Sequence, residues 1–95
     1  MASWEHSTLL APLMDQVVVI DLKSPFVCLG TLVSCDEFFL ELRDADLHDF
    51  RDSTATRELY VYDSARLGIR RNRARILIRL DDVVALTLFA DIAES

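Results

Sequence analysis

Residues 17–46 read VVVIDLKSPFVCLGTLVSCDEFFLELRDAD, and this stretch decides the fold. Valine, isoleucine, leucine, phenylalanine and threonine fill nearly every other position, and these residue types favour a pleated, half-buried strand. Polar breaks of two or three residues divide the stretch into three apolar runs. Breaks this short join consecutive antiparallel strands. The pattern therefore predicts three strands, at residues 17–22, 26–35 and 38–42.

Gly30 lies in the middle of the second predicted strand. A glycine inside a strand weakens pairing unless the strand has to bend sharply at that point. A single bent central strand allows a small sheet to curl round on itself. We therefore expect the sheet to form a strongly bent small barrel.

Two further strands are predicted near the C-terminus. Residues 74–79 alternate between two faces, and residues 83–89 form a mostly apolar run. Asp81 and Asp82 lie between them and suit a tight turn. The sequence therefore predicts a mainly β protein with five antiparallel strands.

Two segments favour a helix. Leucine and methionine side chains recur with helical spacing in residues 8–15, although Pro12 would shorten or break that helix. Residues 57–68 are rich in strand formers but also fit helical spacing, and Gly68 suits a helix end. We favour a helix here, and a long hairpin is the alternative.

The composition indicates one domain over residues 1–95, with 52% hydrophobic residues and only two glycines and two prolines. We expect residues 1–7 to be flexible. No apolar run has the length of a membrane span, and the N-terminus does not resemble a secretory signal. We therefore expect a cytoplasmic protein that makes no contact with a membrane.

No pattern of catalytic residues is apparent in the sequence. It contains no Ser/His/Asp set and no glycine-rich phosphate loop, so we expect no enzyme activity, no cofactor and no small-molecule substrate. Asp44, Asp46 and His48 would share a strand face and could gather round a cation. A solvated strand end is the simpler interpretation of these three residues.

Charge is distributed unevenly along the chain. The net charge is −6, yet six of the ten basic residues are arginines within residues 66–79, where no acid lies between them. Residues 36–52 are mainly acidic. The arginine segment could be a nucleic-acid surface, a subunit interface facing the acidic segment of another copy, or a solvated face.

The order of elements and two motifs resemble the Sm and Sm-like family, which includes bacterial Hfq. Gly30, Leu32 and Asp36, followed by the runs at 38–42 and 44–46, match its first motif, here assigned to strands within residues 17–47. The second motif is matched by ILIRLDDVV, part of the strands assigned to residues 74–90. The resemblance covers about residues 9–90, apart from a long insertion at residues 48–73.

The resemblance implies a short N-terminal helix, a bent five-stranded sheet and an RNA site at its turns. The family's base-reading Asn is missing here, and the Arg-Gly of its second motif is Arg79-Leu80. Phe39 could occupy the family's aromatic stacking position, and Asp36 and Arg79 match a pair that joins neighbouring loops. The candidate RNA-binding residues are Asp36, Phe39, Arg70, Arg71, Arg73 and Arg79.

The apolar fifth strand also predicts self-association. An open strand edge has to be covered or paired, and residues 83–88 carry too little charge to prevent pairing. If the fourth strand pairs with the fifth strand of another copy, the head-to-tail contact can close into a ring. We therefore expect a ring-forming homo-oligomer that binds RNA with weak base specificity. The alternative is an oligomeric scaffold that has lost RNA reading.

Overall fold

The computed structural model describes residues 9–49, 51 and 56–92, so the predicted flexibility of residues 1–7 falls outside the described residues. Five antiparallel strands form one open sheet in the order β4-β3-β2-β1-β5, as the sequence predicted for strand number and direction. One α-helix, α1, joins β3 to β4. The elements are β1 Val17–Leu22, β2 Phe26–Cys35, β3 Phe39–Asp49, α1 Arg57–Leu67, β4 Arg73–Arg79 and β5 Val83–Leu88.

The helix predicted at residues 8–15 is not formed by the described residues of that segment. They contain a single 3-10 turn, Ala11–Leu13, with Pro12 in its first positions. Asp15 then has a positive φ of 62°, and its amide donates to the Leu32 carbonyl of β2 at 2.8 Å. Proline removes one helical donor, and the chain then leaves the helical path in a further turn, where the Gln16 amide donates to the Leu13 carbonyl at 3.2 Å.

The bend at Gly30 comes from a bulge between β2 and β3. The pairing register shifts between Leu29 and Thr31, and Asp44 on the opposite strand has a φ of 50°. Only a residue without a side chain fits here, because a Cβ on Gly30 would lie 2.9 Å from the Cβ of Ala45. The extra residue lies in β3, and a bulge of this kind bends the bulged strand and increases the local twist.

The third strand is longer than the sequence predicted, extending to Asp49 instead of ending at Leu42. Its second half pairs with the start of β2, from Leu29↔Asp46 to Phe26↔Asp49. The polar residues of this half obscure the strand pattern in the sequence. Tertiary contacts compensate for their burial, as described below.

Apolar side chains pack on both faces of the sheet. One face holds the main cluster, whose buried members are Val18, Ile20, Leu22, Cys28, Leu32, Leu40, Leu42, Ala45 and Ile78. A second cluster on the opposite face joins Val19, Val27 and Leu29 to Val61 of α1. The helix therefore covers one end of the outer face of β1 and β2.

Helix α1 confirms the helical interpretation of residues 57–68. Thr56 is its N-cap, with the hydroxyl accepting from the Leu59 amide at 3.1 Å, and Gly68 ends it at a φ of 96°. The Tyr60 hydroxyl donates to the Asp46 carboxylate, which is only 4% exposed, and the His48 ring stacks on Tyr60 at 4.1 Å. Whether residues 48–73 are an insertion relative to the family stays a prediction.

Both edges of the sheet are open within the described part of the chain. There β4 pairs with β3 and β5 pairs with β1, and the 3-10 turn Leu80–Asp82 connects the two edge strands. Ser24 holds that turn, because its amide and hydroxyl both donate to the Asp82 carboxylate, at 3.1 and 2.6 Å. No helix among the described residues has the length and apolar character needed to cross a membrane.

Candidate functional site

Two turns meet at one end of the sheet. The first is the β2–β3 turn at residues 36–38, and the second is the β4–β5 turn Leu80–Asp82. They are joined by a hydrogen bond of 2.8 Å from the Leu80 amide to the Phe38 carbonyl. This contact brings together three predicted site residues, Asp36, Phe39 and Arg79.

Asp36 shapes the first turn through its side chain. One carboxylate oxygen accepts from the amides of Phe38 and Phe39, each at 2.8 Å, and the Asp36 amide donates to the Phe39 carbonyl at 3.0 Å. The two backbone N–H groups lower the pKa of Asp36 below its ordinary value. The carboxylate is therefore ionised at neutral pH and fixes the position of both phenylalanines.

Arg79 lies opposite Phe39 in the β3–β4 register. Its guanidinium donates to the Asp81 carboxylate at 3.1 and 3.2 Å, within its own turn, and this bond raises the pKa of Arg79 further. Among the described residues Arg79 therefore pairs with Asp81 rather than with Asp36. A link between Asp36 and Arg79 of neighbouring loops stays a prediction.

The two phenylalanines face solvent at this end of the sheet. Phe38 is 65% exposed and Phe39 is 38% exposed, and together with Arg79 and Leu80 they line a shallow depression. Leu80 also packs against the main cluster, so its side chain serves both the core and the depression. Exposed aromatic rings beside a guanidinium are a surface on which a flat base can stack.

Acidic side chains surround the depression. Asp36, Glu37 and Asp81 lie at its rim or in its two turns, and among the residues that the structure describes Arg79 is the guanidinium that lines it. Phosphate groups would be repelled here, because like charges at short range oppose binding. This end of the sheet can offer stacking but only weak attraction for a polyanion.

The remaining predicted arginines lie at the other end of β4. Arg70 and Arg71 are exposed in the connection after α1, and Arg73 begins the strand that Arg79 ends. Six residues along a strand correspond to about 20 Å. The structure therefore separates the six candidate residues into two groups.

The side chain of Asn72 fixes the arginine-rich connection to β3. It accepts from the Leu47 amide at 3.0 Å and donates to the Leu47 carbonyl at 3.1 Å. These two hydrogen bonds take the place of one backbone pair between β3 and β4, just before β4 begins. The position of the neighbouring arginines is therefore defined by β3.

The list of candidate residues omitted Arg43 and Arg75, although Arg75 belongs to the arginine segment at residues 66–79. Arg43 of β3 lies directly opposite Arg75 of β4, and both are exposed on the face that carries Arg73 and Arg79. The alternation of arginines at positions 73, 75 and 79 was a signal that they share one face. The position of Arg43 depends on the register between β3 and β4, which the sequence alone does not define.

The predicted solvated strand end at Asp44, Asp46 and His48 is wrong for Asp46. This residue is buried and accepts from Tyr60, as described above. No group of three or more His, Cys, Asp or Glu side chains among the described residues could hold a metal ion. The polar residues of β3 instead hold α1 against the sheet. Local sequence patterns could not show that this helix, which comes later in the chain, packs on them.

The fold is that of a small bent five-stranded antiparallel sheet, and it is similar to two archaeal proteins. One is a Pyrococcus abyssii Sm protein in complex with a uridine heptamer, with a TM-score of 0.56 and 22% identity, covering 84% of this chain and 92% of that chain. The other is an Archaeoglobus fulgidus Sm-like protein, with a TM-score of 0.58 and 14% identity, covering 93% and 99%. No protein-family model and no curated protein matches this chain.

The chain therefore has the Sm-like fold. This confirms, at the level of the fold, the resemblance seen in residues 9–90. It places the β2–β3 and β4–β5 turns together at one end of the sheet, where the aromatic depression lies.

Proposed function

We propose that this protein is a ring-forming Sm-like protein that binds single-stranded RNA with weak base specificity and has no enzymatic role. The observation that carries the proposal is the juxtaposition of exposed Phe38 and Phe39 with Arg79 across the two joined turns. The complex of the Pyrococcus abyssii protein with a uridine heptamer supports RNA as the ligand class. The cytoplasmic location stays a prediction.

Weak base specificity follows from the groups that the depression offers. Aromatic rings stack on every base, whereas choice between bases requires hydrogen bonds to base edges. The amide that would make such bonds in the family is replaced by the apolar residues Phe39 and Leu40. We therefore expect uridine-rich and adenine-rich RNA to bind with similar affinity.

Phe39→Ala should weaken RNA binding about tenfold, a loss within the roughly 1–3 kcal/mol that one stacked base contributes. Fluorescence anisotropy with labelled oligouridine and oligoadenine at low salt measures this change. Leu59→Ala is a matched control, since Leu59 is also an exposed large hydrophobic residue but lies on α1. Equal affinity of Phe39→Ala and the wild type would exclude stacking at this site.

The proposed ring rests on the two open edges. Strand β4 of one copy would pair with β5 of the next, and Val84 of β5 is 63% exposed in the isolated chain, which an interface would cover. The contact is head-to-tail, so it can close when the rotation between copies divides a circle.

Light scattering coupled to size exclusion should give a mass that is a multiple of the 10.8 kDa subunit at micromolar concentration. Val84→Lys should reduce that mass towards one subunit, because a charge on an edge strand opposes strand pairing. Leu67→Lys is the control, since Leu67 is 77% exposed on α1. A wild-type mass of one subunit would contradict the proposal.

A second function, an oligomeric scaffold that binds protein and not RNA, is favoured by one observation. The acids Asp36, Glu37 and Asp81 at the depression suit a basic partner better than a polyanion. The absorbance ratio of the purified protein distinguishes the two functions. Co-purified nucleic acid supports the first, and an assembled ring free of nucleic acid that also fails to bind RNA at low salt supports the second.

A further inference from the structure

Strand β4 carries exposed arginines along its length. Arg75 and Arg79 alternate with Ile76 and Ile78, whose side chains point to the core side, and Arg73 is exposed at the start of the strand, opposite Ala45. Residues two apart on a strand are separated by about 6.6–6.8 Å. This spacing is similar to that of successive phosphates along an extended single strand.

A fourth arginine from β3 extends the row sideways. Arg43 pairs with Arg75 in the β3–β4 register, and directly opposed side chains of this kind have Cβ atoms about 4.5–5.5 Å apart. Two like charges this close are destabilising unless an anion lies between or beside them. Glu41 supplies one anion, because its carboxylate accepts from both Arg75, at 2.5 Å, and Ser34, at 2.9 Å.

Glu41 does not neutralise all of the arginines near this end of β4. Among the described residues, no ion pair is formed by Arg43, Arg70, Arg71 or Arg73. Asp44, exposed at the bulge beside Arg43, is the other nearby acid. The patch is thus a local concentration of positive charge on a protein with a net charge of −6.

We infer that this patch, formed by Arg43, Arg70, Arg71, Arg73 and Arg75, binds the phosphate backbone of single-stranded RNA. Its shape suits an extended chain, because it is an open strand face that continues past exposed Leu77 to Phe39 and Arg79 at the other end. Guanidinium groups grip phosphate with two parallel hydrogen bonds, independent of base identity. The inference rests on the proposed RNA binding and assigns the electrostatic attraction to the end of β4 that lies away from the acidic depression.

Salt dependence separates the two parts of the interaction. Each phosphate contact with a single strand contributes about −0.7 to the slope of log K against log salt concentration, whereas stacking contributes little. Arg43→Gln/Arg73→Gln should therefore make the slope less steep by about 1.4, for oligouridine and oligoadenine alike. Phe39→Ala should weaken binding with the slope unchanged.

The matched control is Arg51→Gln/Arg66→Gln. It removes the same number of positive charges, but from arginines already paired with Asp49 and Asp63, at 2.8 and 4.0 Å. The control should keep the wild-type slope, and so should Arg43→Lys/Arg73→Lys, which retains the charge. Thermal unfolding of each variant shows whether a loss of binding reflects a loss of folding.

Each outcome decides between the proposals. A reduced slope in Arg43→Gln/Arg73→Gln but not in the control supports the patch. An unchanged slope overturns the patch while RNA binding by the wild type still upholds the proposed function. If the wild type binds neither RNA at low salt, both fail. If the variant changes the oligomeric mass instead of the slope, the arginines form a subunit interface and the inference is wrong.

Discussion

Gly30→Val should lower the free energy of unfolding by about 3 kcal/mol, the upper part of the usual range for overpacking a core. A Cβ at position 30 would lie 2.9 Å from the Cβ of Ala45, 3.1 Å from its Cα and 3.2 Å from the Arg43 carbonyl oxygen. Two of these neighbours are backbone atoms of the paired strand, which cannot move without breaking the bulge. In a domain of this size the melting temperature should fall by roughly 12–24 °C.

The matched experiment is a double-mutant cycle between positions 30 and 45. Gly30→Ala should destabilise less than valine, and Ala45→Gly should recover part of that loss by removing one of the clashing atoms. The cycle therefore predicts a favourable coupling between Gly30→Ala and Ala45→Gly, measured by chemical denaturation. Strictly additive effects would show that the close approach of β2 and β3 is not what requires a glycine.

Tyr60→Phe should lower the free energy of unfolding by about 1–3 kcal/mol, because it removes a donor from the buried carboxylate of Asp46. The same change should loosen α1 against the sheet, because the helix loses its hydrogen bond to Asp46 while the ring that stacks on His48 is kept. Hydrogen exchange should show faster exchange of the α1 amides than in the wild type. Tyr62→Phe, on the same helix, should change stability by less than about 0.5 kcal/mol.

The pH range over which the Tyr60–Asp46 hydrogen bond persists depends on the ionisation of the Tyr60 hydroxyl. Burial, and then the bond to Asp46, raise the pKa of Tyr60 above its ordinary value, so the donor form persists throughout the neutral range. A group whose folded-state pKa is raised stabilises fully below the unfolded value of about 10, and the contribution is lost as pH rises through the folded value. The stability difference between Tyr60→Phe and the wild type should therefore be constant from pH 7 to about pH 9. A difference that vanished within that range would contradict the role assigned to the Tyr60 hydroxyl.

The proposed RNA surface consists of two separate parts with opposite charge. The aromatic depression is acidic, whereas the arginines are gathered about 20 Å away along the same strand. If RNA binds, its bases stack at the depression and its phosphates are attracted by the arginine patch, so the two interactions take place at opposite ends of β4. The salt slope and the Phe39→Ala affinity are thus independent measurements of the two ends.

The sequence by itself determined the elements whose signals are local. The bounds of β1 and β2 agree with prediction, and those of β4 and β5 differ by one residue, because alternating apolar side chains and short polar turns act between near neighbours. The end of α1 at Gly68 also follows from a single residue type with special backbone freedom, whereas Gly30 is needed because it leaves space for Ala45 on the paired strand.

Only the tertiary structure decided the features that depend on distant partners. β3 extends to Asp49 because Asp46 and His48 find a partner in Tyr60, which follows them by 12 to 14 residues in the chain. The N-terminal segment is held beside β2 because the Asp15 amide bonds to the Leu32 carbonyl. The arginine patch exists because the register places Arg43 opposite Arg75. Each of these contacts is fixed by the packing of the whole sheet, so no local pattern of residues encodes it.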